Sequence, residues 1–73
     1  MNSYNIWREG FMIQGMDSPA TAERIGTEQG ETFQDACARL MEHKKSTTYD
    51  PRRNTDWGCR LFDNEAAARK SLG

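Results

Sequence analysis

An α+β fold, a three-stranded antiparallel sheet packed on one main helix in the order β-β-α-β-α with a short C-terminal helix, is the architecture this sequence predicts. Three observations point to it. The N-terminal segment YNIWREGFMI mixes aromatic and β-branched residues with polar ones, as a half-buried strand does. Phe33, Ala36, Cys37, Leu40 and Met41 recur at the spacing of one helix face. Trp57, Cys59 and Leu61 alternate with Gly58, Arg60 and Phe62, a period-two pattern. A chain of 73 residues holds one domain, residues 1–73, with one modest core, which excludes an enzyme built on a cleft between two lobes.

The first strand is expected near residues 4–13, with Tyr4 and Ile6 on one face and Trp7, Phe11 and Ile13 on the other; either both faces are partly covered or, the preferred reading, Gly10 marks a bulge that resets the pleat. Gly15 to Pro19, GMDSP, is a concentrated turn signal. A second strand near 20–29 has Ile25 as its apolar anchor, and its Glu23, Arg24, Glu28 and Gln29 give it the polar character of a protected edge. Thr32 is a good N-cap for a helix at 33–44. Glu31 and Asp35 sit near its positive end and His43, Lys44 and Lys45 near its negative end.

STTYDPRRNT, residues 46–55, reads as a polar loop in which Asp50 and Pro51 fit the N-cap and first position of one short turn. The third strand follows at 56–62. Asp63 then caps a helix over 64–72, built on Ala66, Ala67 and Ala68 with a Glu65–Arg69 i,i+4 pair. Phe62 and Leu72 fasten that helix to the sheet edge or its other face. The expected core is Ile6, Phe11, Ile25, Phe33, Ala36, Cys37, Leu40, Trp57, Cys59 and Leu61.

Ten Lys and Arg stand against eleven Asp and Glu, a net charge of -1, so the total announces neither a basic nucleic-acid binder nor an acidic nucleic-acid mimic. The distribution is uneven. Residues 1–42 carry three basic and seven acidic side chains and residues 43–73 carry seven basic and four acidic ones, so the halves stand at −4 and +3. Such a dipole can orient a protein partner or a second copy of the chain, and a homodimer is among the expectations. Two cysteines and no apolar leader-like segment suggest a cytoplasmic protein with free thiols. The longest apolar run, Phe11–Ile13, is far short of the roughly 18 residues a membrane span needs.

Catalytic chemistry is sparsely supplied. The one histidine, His43, lies between Glu42 and Lys44 at a helix end, and Cys37 and Cys59 fall on apolar faces; no nucleophile, base and orienting group are paired. These three residues lack the spacing of a zinc site, and the scattered glycines form no phosphate loop. The expectation is a non-enzyme with no cofactor and no metal. Contact chemistry is what remains: Tyr49, Arg52, Arg53 and Arg60 are the candidate binding residues, of types that dominate binding hot spots and also stack on bases. Trp57 is expected to serve stability; Arg60 either reaches solvent on the open face of the third strand, where it would serve binding, or pairs with Asp63 or Asp56.

The ending WGCRLFDNEAAARKSLG, with YNIWREGF near the start and ETFQDAC before the main helix, resembles a group of short uncharacterised proteins of bacteria and their phages that share an aromatic-GCR-aromatic-DNE motif. What the resemblance implies is context: a small phage-associated protein, in the bacterial host cytoplasm if phage-encoded, that binds and blocks a host component, as anti-CRISPR proteins block defence complexes. The alternative is a nucleic-acid or nucleotide-ligand binder using the basic C-terminal half, whose affinity would fall steeply with salt.

Overall fold

The computed structural model describes residues 1–12, 15, 17–18 and 20–71. The chain runs β1 (Asn2–Arg8), β2 (Glu23–Gly30), α1 (Phe33–His43), β3 (Tyr49–Asp50), β4 (Thr55–Asp56), β5 (Cys59–Phe62) and α2 (Glu65–Lys70). All five strands join one antiparallel sheet in the order β2-β1-β5-β4-β3. The expected three-stranded sheet is therefore corrected to five strands. Two features account for the difference. The polar stretch over 46–55 contributes β3, and the run over 56–62 is a hairpin, with β4 and β5 joined through Trp57–Gly58.

β1 starts two residues earlier than expected and stops at Arg8, so Gly10 lies beyond it; Phe11 bridges to Ala20 through a reciprocal pair of backbone hydrogen bonds. The bulge sits elsewhere. Ile6 opposes Gly26 and Trp7 opposes Arg24, leaving Ile25 as the extra residue of β2. This lets Ile25 pack against the core, and β2 is indeed an edge strand, with a bulge and exposed Glu23, Arg24, Thr27 and Gln29 to discourage pairing with other chains. The expected Ile13 and the Met16 and Pro19 of the turn signal lie outside the described residues.

α1 forms where the apolar spacing places it. Thr32 Oγ1 accepts a hydrogen bond from the Asp35 amide at 3.2 Å, closing the N-terminus, while Ala36, Cys37, Leu40 and Met41 are buried. The helix packs mainly on β2. Close approach there depends on glycine: a Cβ at Gly26 would lie 2.8 Å from Leu40 Cδ1, and one at Gly30 would lie 2.6 Å from the Ala36 backbone nitrogen. α2 is capped by Asn64, one residue later than the expected Asp63, through a 2.7 Å bond from the Ala67 amide to Asn64 Oδ1. It packs on β5 and reaches β1 and β2, and Glu65 and Arg69 pair at 3.3 Å. Leu72, expected to anchor this helix, lies outside the described residues.

Ile6, Ala36, Cys37, Leu40, Met41 and Leu61 make the core cluster, with Tyr4, Ile25, Phe33 and Tyr49 packed against it. Two expected core members differ. Phe11 is half-buried and Trp57 is 55% exposed. Trp57 fails as a core residue because it is not in a strand: Asp56 pairs directly with Cys59, so Trp57 and Gly58 are the two-residue loop between them.

Candidate functional site: the β4–β5 tip

A two-residue hairpin loop of this kind needs a left-handed backbone at both positions, and the pair that meets the need most easily is Asn-Gly. Here φ is 55° at Trp57 and 78° at Gly58. Gly58 bears this without strain, but for a bulky side chain the conformation is a genuine outlier. The hairpin is held by its surroundings: the Trp57 amide donates to the Thr48 carbonyl at 3.2 Å, and Asp56 Oδ1 accepts from the Ser46 and Thr48 hydroxyls at 3.0 and 2.8 Å.

The Trp57 ring does not float free. It meets the Phe11 ring in an edge-to-face arrangement with centroids 5.4 Å apart, and the Arg8 guanidinium carbon lies 5.9 Å from the Phe11 centroid. Met12, next along the chain, is 54% exposed. A strand end, a bridge residue and a hairpin loop, distant in sequence, thus build one aromatic and cationic surface. Trp, Arg and aromatic neighbours are the types that carry most binding energy at interfaces.

Beneath it lies Glu9, buried to 2% exposure. One carboxylate oxygen accepts from the Arg60 amide and the other from the Ser71 hydroxyl, while the Glu9 amide donates to the Arg60 carbonyl at 3.0 Å. Both oxygens of the buried acid are therefore satisfied, as a buried carboxylate requires.

The residues singled out from sequence are distributed over the β3-β4-β5 meander. Tyr49 packs against the core and donates its hydroxyl to Asn54 Oδ1 at 2.7 Å; its phenol is shifted above its ordinary pKa, first by burial and then by Cys37 and Asp50. It also lines an open groove of about 470 Å³ between α1 and the segment running to Pro51. Arg52 and Arg53 are exposed in the turn from Pro51 to Asn54, where Asp50 Oδ1 accepts the Arg52 amide at 2.9 Å and the Arg53 amide at 3.4 Å. That is the capping role expected of Asp50. Arg53 Nε lies 3.9 Å from Asp50 Oδ2. Arg60 is exposed on β5, and pairing places it in a cross-strand row with Thr55 and Asp50, on the opposite face from buried Cys59 and Leu61.

The structure brings Arg52 and Arg53 together at one end of the short β3–β4 hairpin, and Trp57 stands at the other end of β4. What sequence reasoning missed is the partnership of Trp57 with Phe11 and Arg8. The signal was the Gly after Trp57, a loop mark hidden by an apparently continuous alternation.

Both thiols are shielded. Cys37 is pushed up to about 11, chiefly by burial and opposed by Asn54, whose amide donates to its sulfur at 3.6 Å. Cys59 is also raised, by burial first; Arg8 acts to lower it while Glu9 and Asp56 raise it. Among the described residues no group of three His, Cys, Asp or Glu is placed to hold a metal ion, and no helix is long and apolar enough to cross a membrane. His43 Nδ1 meets Glu28 Oε2 at 2.9 Å, joining the end of α1 to β2. No family model, no curated protein and no solved structure matches the chain.

Proposed function

We propose that this protein is a small non-catalytic protein-binding module that engages its partner through the β4–β5 tip. The observation that carries the reading is Trp57: a large aromatic ring more than half exposed, on a backbone that Asn or Gly would adopt at lower cost. Strained backbone with an exposed hot-spot side chain is a combination that stability does not reward and binding does. The more specific form, a phage-associated inhibitor of a host defence complex acting in the bacterial cytoplasm, draws on the resemblance of the WGCRLFDNE ending alone.

Affinity capture tests the reading. Full-length protein immobilised through its N-terminus is expected to retain a stoichiometric protein from bacterial lysate, and Trp57→Asn, which suits the loop, is expected to lose it. Capture of nucleic acid in place of protein, released by moderate salt and abolished in the Arg52→Ala/Arg53→Ala double variant, would instead support the basic-loop alternative.

A further inference from the structure

We infer that the partner surface received at the β4–β5 tip is an acidic, apolar polypeptide segment, with a carboxylate set against Arg8 beside a hydrophobic side chain packed on Trp57. This rests on the tip being the binding site and adds the chemistry of the other side. Arg8 is half-buried, and its guanidinium is steadied over the Phe11 ring. A guanidinium held on an aromatic face keeps its planar fork free for a bidentate carboxylate and is weakly hydrated, so contact with a partner strips little water from it.

Among the described residues no carboxylate lies within 4.0 Å of Arg8; the ion pairs run Arg53–Asp50 and Arg69–Glu65, and Glu28 meets His43. The nearby acids Glu9 and Asp56 accept hydrogen bonds from other groups. Glu9 is buried and directed to the Arg60 amide and the Ser71 hydroxyl, and Asp56 is turned to the Ser46 and Thr48 hydroxyls. Glu23, opposite Arg8 across the β1–β2 ladder, is exposed and outside ion-pair distance. Among the described residues Arg52 and Arg60 also lack a carboxylate within that distance, but Arg60 shares a cross-strand row with Asp50 on the face opposite Arg8 and Leu61, and Arg52 lies at the far end of β4 from Trp57, so Arg8 is the cation of the tip.

A nucleic acid strand could use a stacking ring and an arginine, but it needs successive cations along a track and more than one platform. This tip offers one exposed ring with Glu23 on its flank. One carboxylate and one apolar anchor match the surface better, and these are the groups of a polypeptide.

Selection of a random displayed-peptide library against the full-length protein reads this directly, with a single-stranded oligothymidylate as the nucleic-acid probe. The enriched peptides are expected to carry Asp or Glu next to Leu, Phe or Trp. Synthetic copies should bind about tenfold or more weakly to Arg8→Gln and to an intermediate degree to Arg8→Lys, which keeps charge without the fork, and should be lost with Trp57→Asn. Enriched peptides that are neutral or basic, or unchanged affinity in both Arg8 variants, would overturn the acidic partner while loss in Trp57→Asn leaves the tip itself standing. Peptide binding undiminished by Trp57→Asn would overturn the tip as the site. Absence of any enriched peptide, or oligothymidylate bound through Trp57, would overturn a polypeptide partner.

Discussion

At position 57 the hairpin loop favours Asn and the chain supplies Trp. A non-glycine residue in left-handed backbone costs roughly 1–2 kcal/mol, and an edge-to-face ring contact such as that with Phe11 returns about 0.5–1.5 kcal/mol. The two nearly cancel, so Trp57→Asn is expected to change the unfolding free energy by less than about 1 kcal/mol in urea titrations. A loss of about 3–5 kcal/mol, the cost of truncating a buried aromatic, would mean that the ring is core. The thiols give a second residue-level prediction. With Cys37 raised from 9.0 to about 11 in the folded protein, the unfolded chain ionises this thiol first as pH rises. Its contribution to stability is therefore intact below about pH 9 and is lost between 9 and 11. The fall in stability across that window should be smaller in Cys37→Ala, and maleimide should label the native protein at pH 8 far more slowly than the protein in urea.

At the scale of elements, the contact of α1 with β2 depends on two glycines that differ in what a side chain would strike. A methyl at Gly26 meets the mobile end of Leu40, whereas one at Gly30 meets Ala36 and Thr32 backbone that cannot yield. Gly30→Ala should destabilise by more than Gly26→Ala, whose cost, about 1–3 kcal/mol for overpacking, should shrink when Leu40→Val is added; equal losses in the two single variants would contradict this packing. These elements also show what was legible. The helix, its Thr32 cap and the edge character of β2 follow from local spacing and charge, and the structure has them. The cost of reading only local pattern appears at DWGC, where alternation across Trp57 conceals a reversal of direction. It appears again at Tyr49–Asp50, a strand too short to have a period, which exists because β4 is beside it. Of the candidate site, Arg52 and Arg53 are exposed as their loop setting suggested, and of the two alternatives open for Arg60 the structure has the exposed one. The grouping of Trp57 with Phe11 and Arg8 required the third dimension, since it is made across 49 residues of chain from Arg8 to Trp57.

For the molecule as a whole, Glu9 binds β1, β5 and the segment after α2 into one unit, reaching residues 51 and 62 positions away. In a domain with so small a core, a satisfied buried acid is a tie between the chain's two ends. Glu9→Leu leaves the Arg60 amide and the Ser71 hydroxyl without their acceptor and should cost about 1–3 kcal/mol. Ser71→Ala should cost less, and thermal unfolding of the pair of variants separates the two bonds. This tie also fixes β1 against β5, and so holds Phe11, with Arg8 over its ring, where Trp57 can meet it. Whether a stable fold presents Trp57 for binding is tested most directly by partner capture with Trp57→Asn at a confirmed native stability. A variant that unfolds at the same urea concentration as the parent and retains no partner is the predicted result; one that still retains the partner at full stoichiometry would contradict the account.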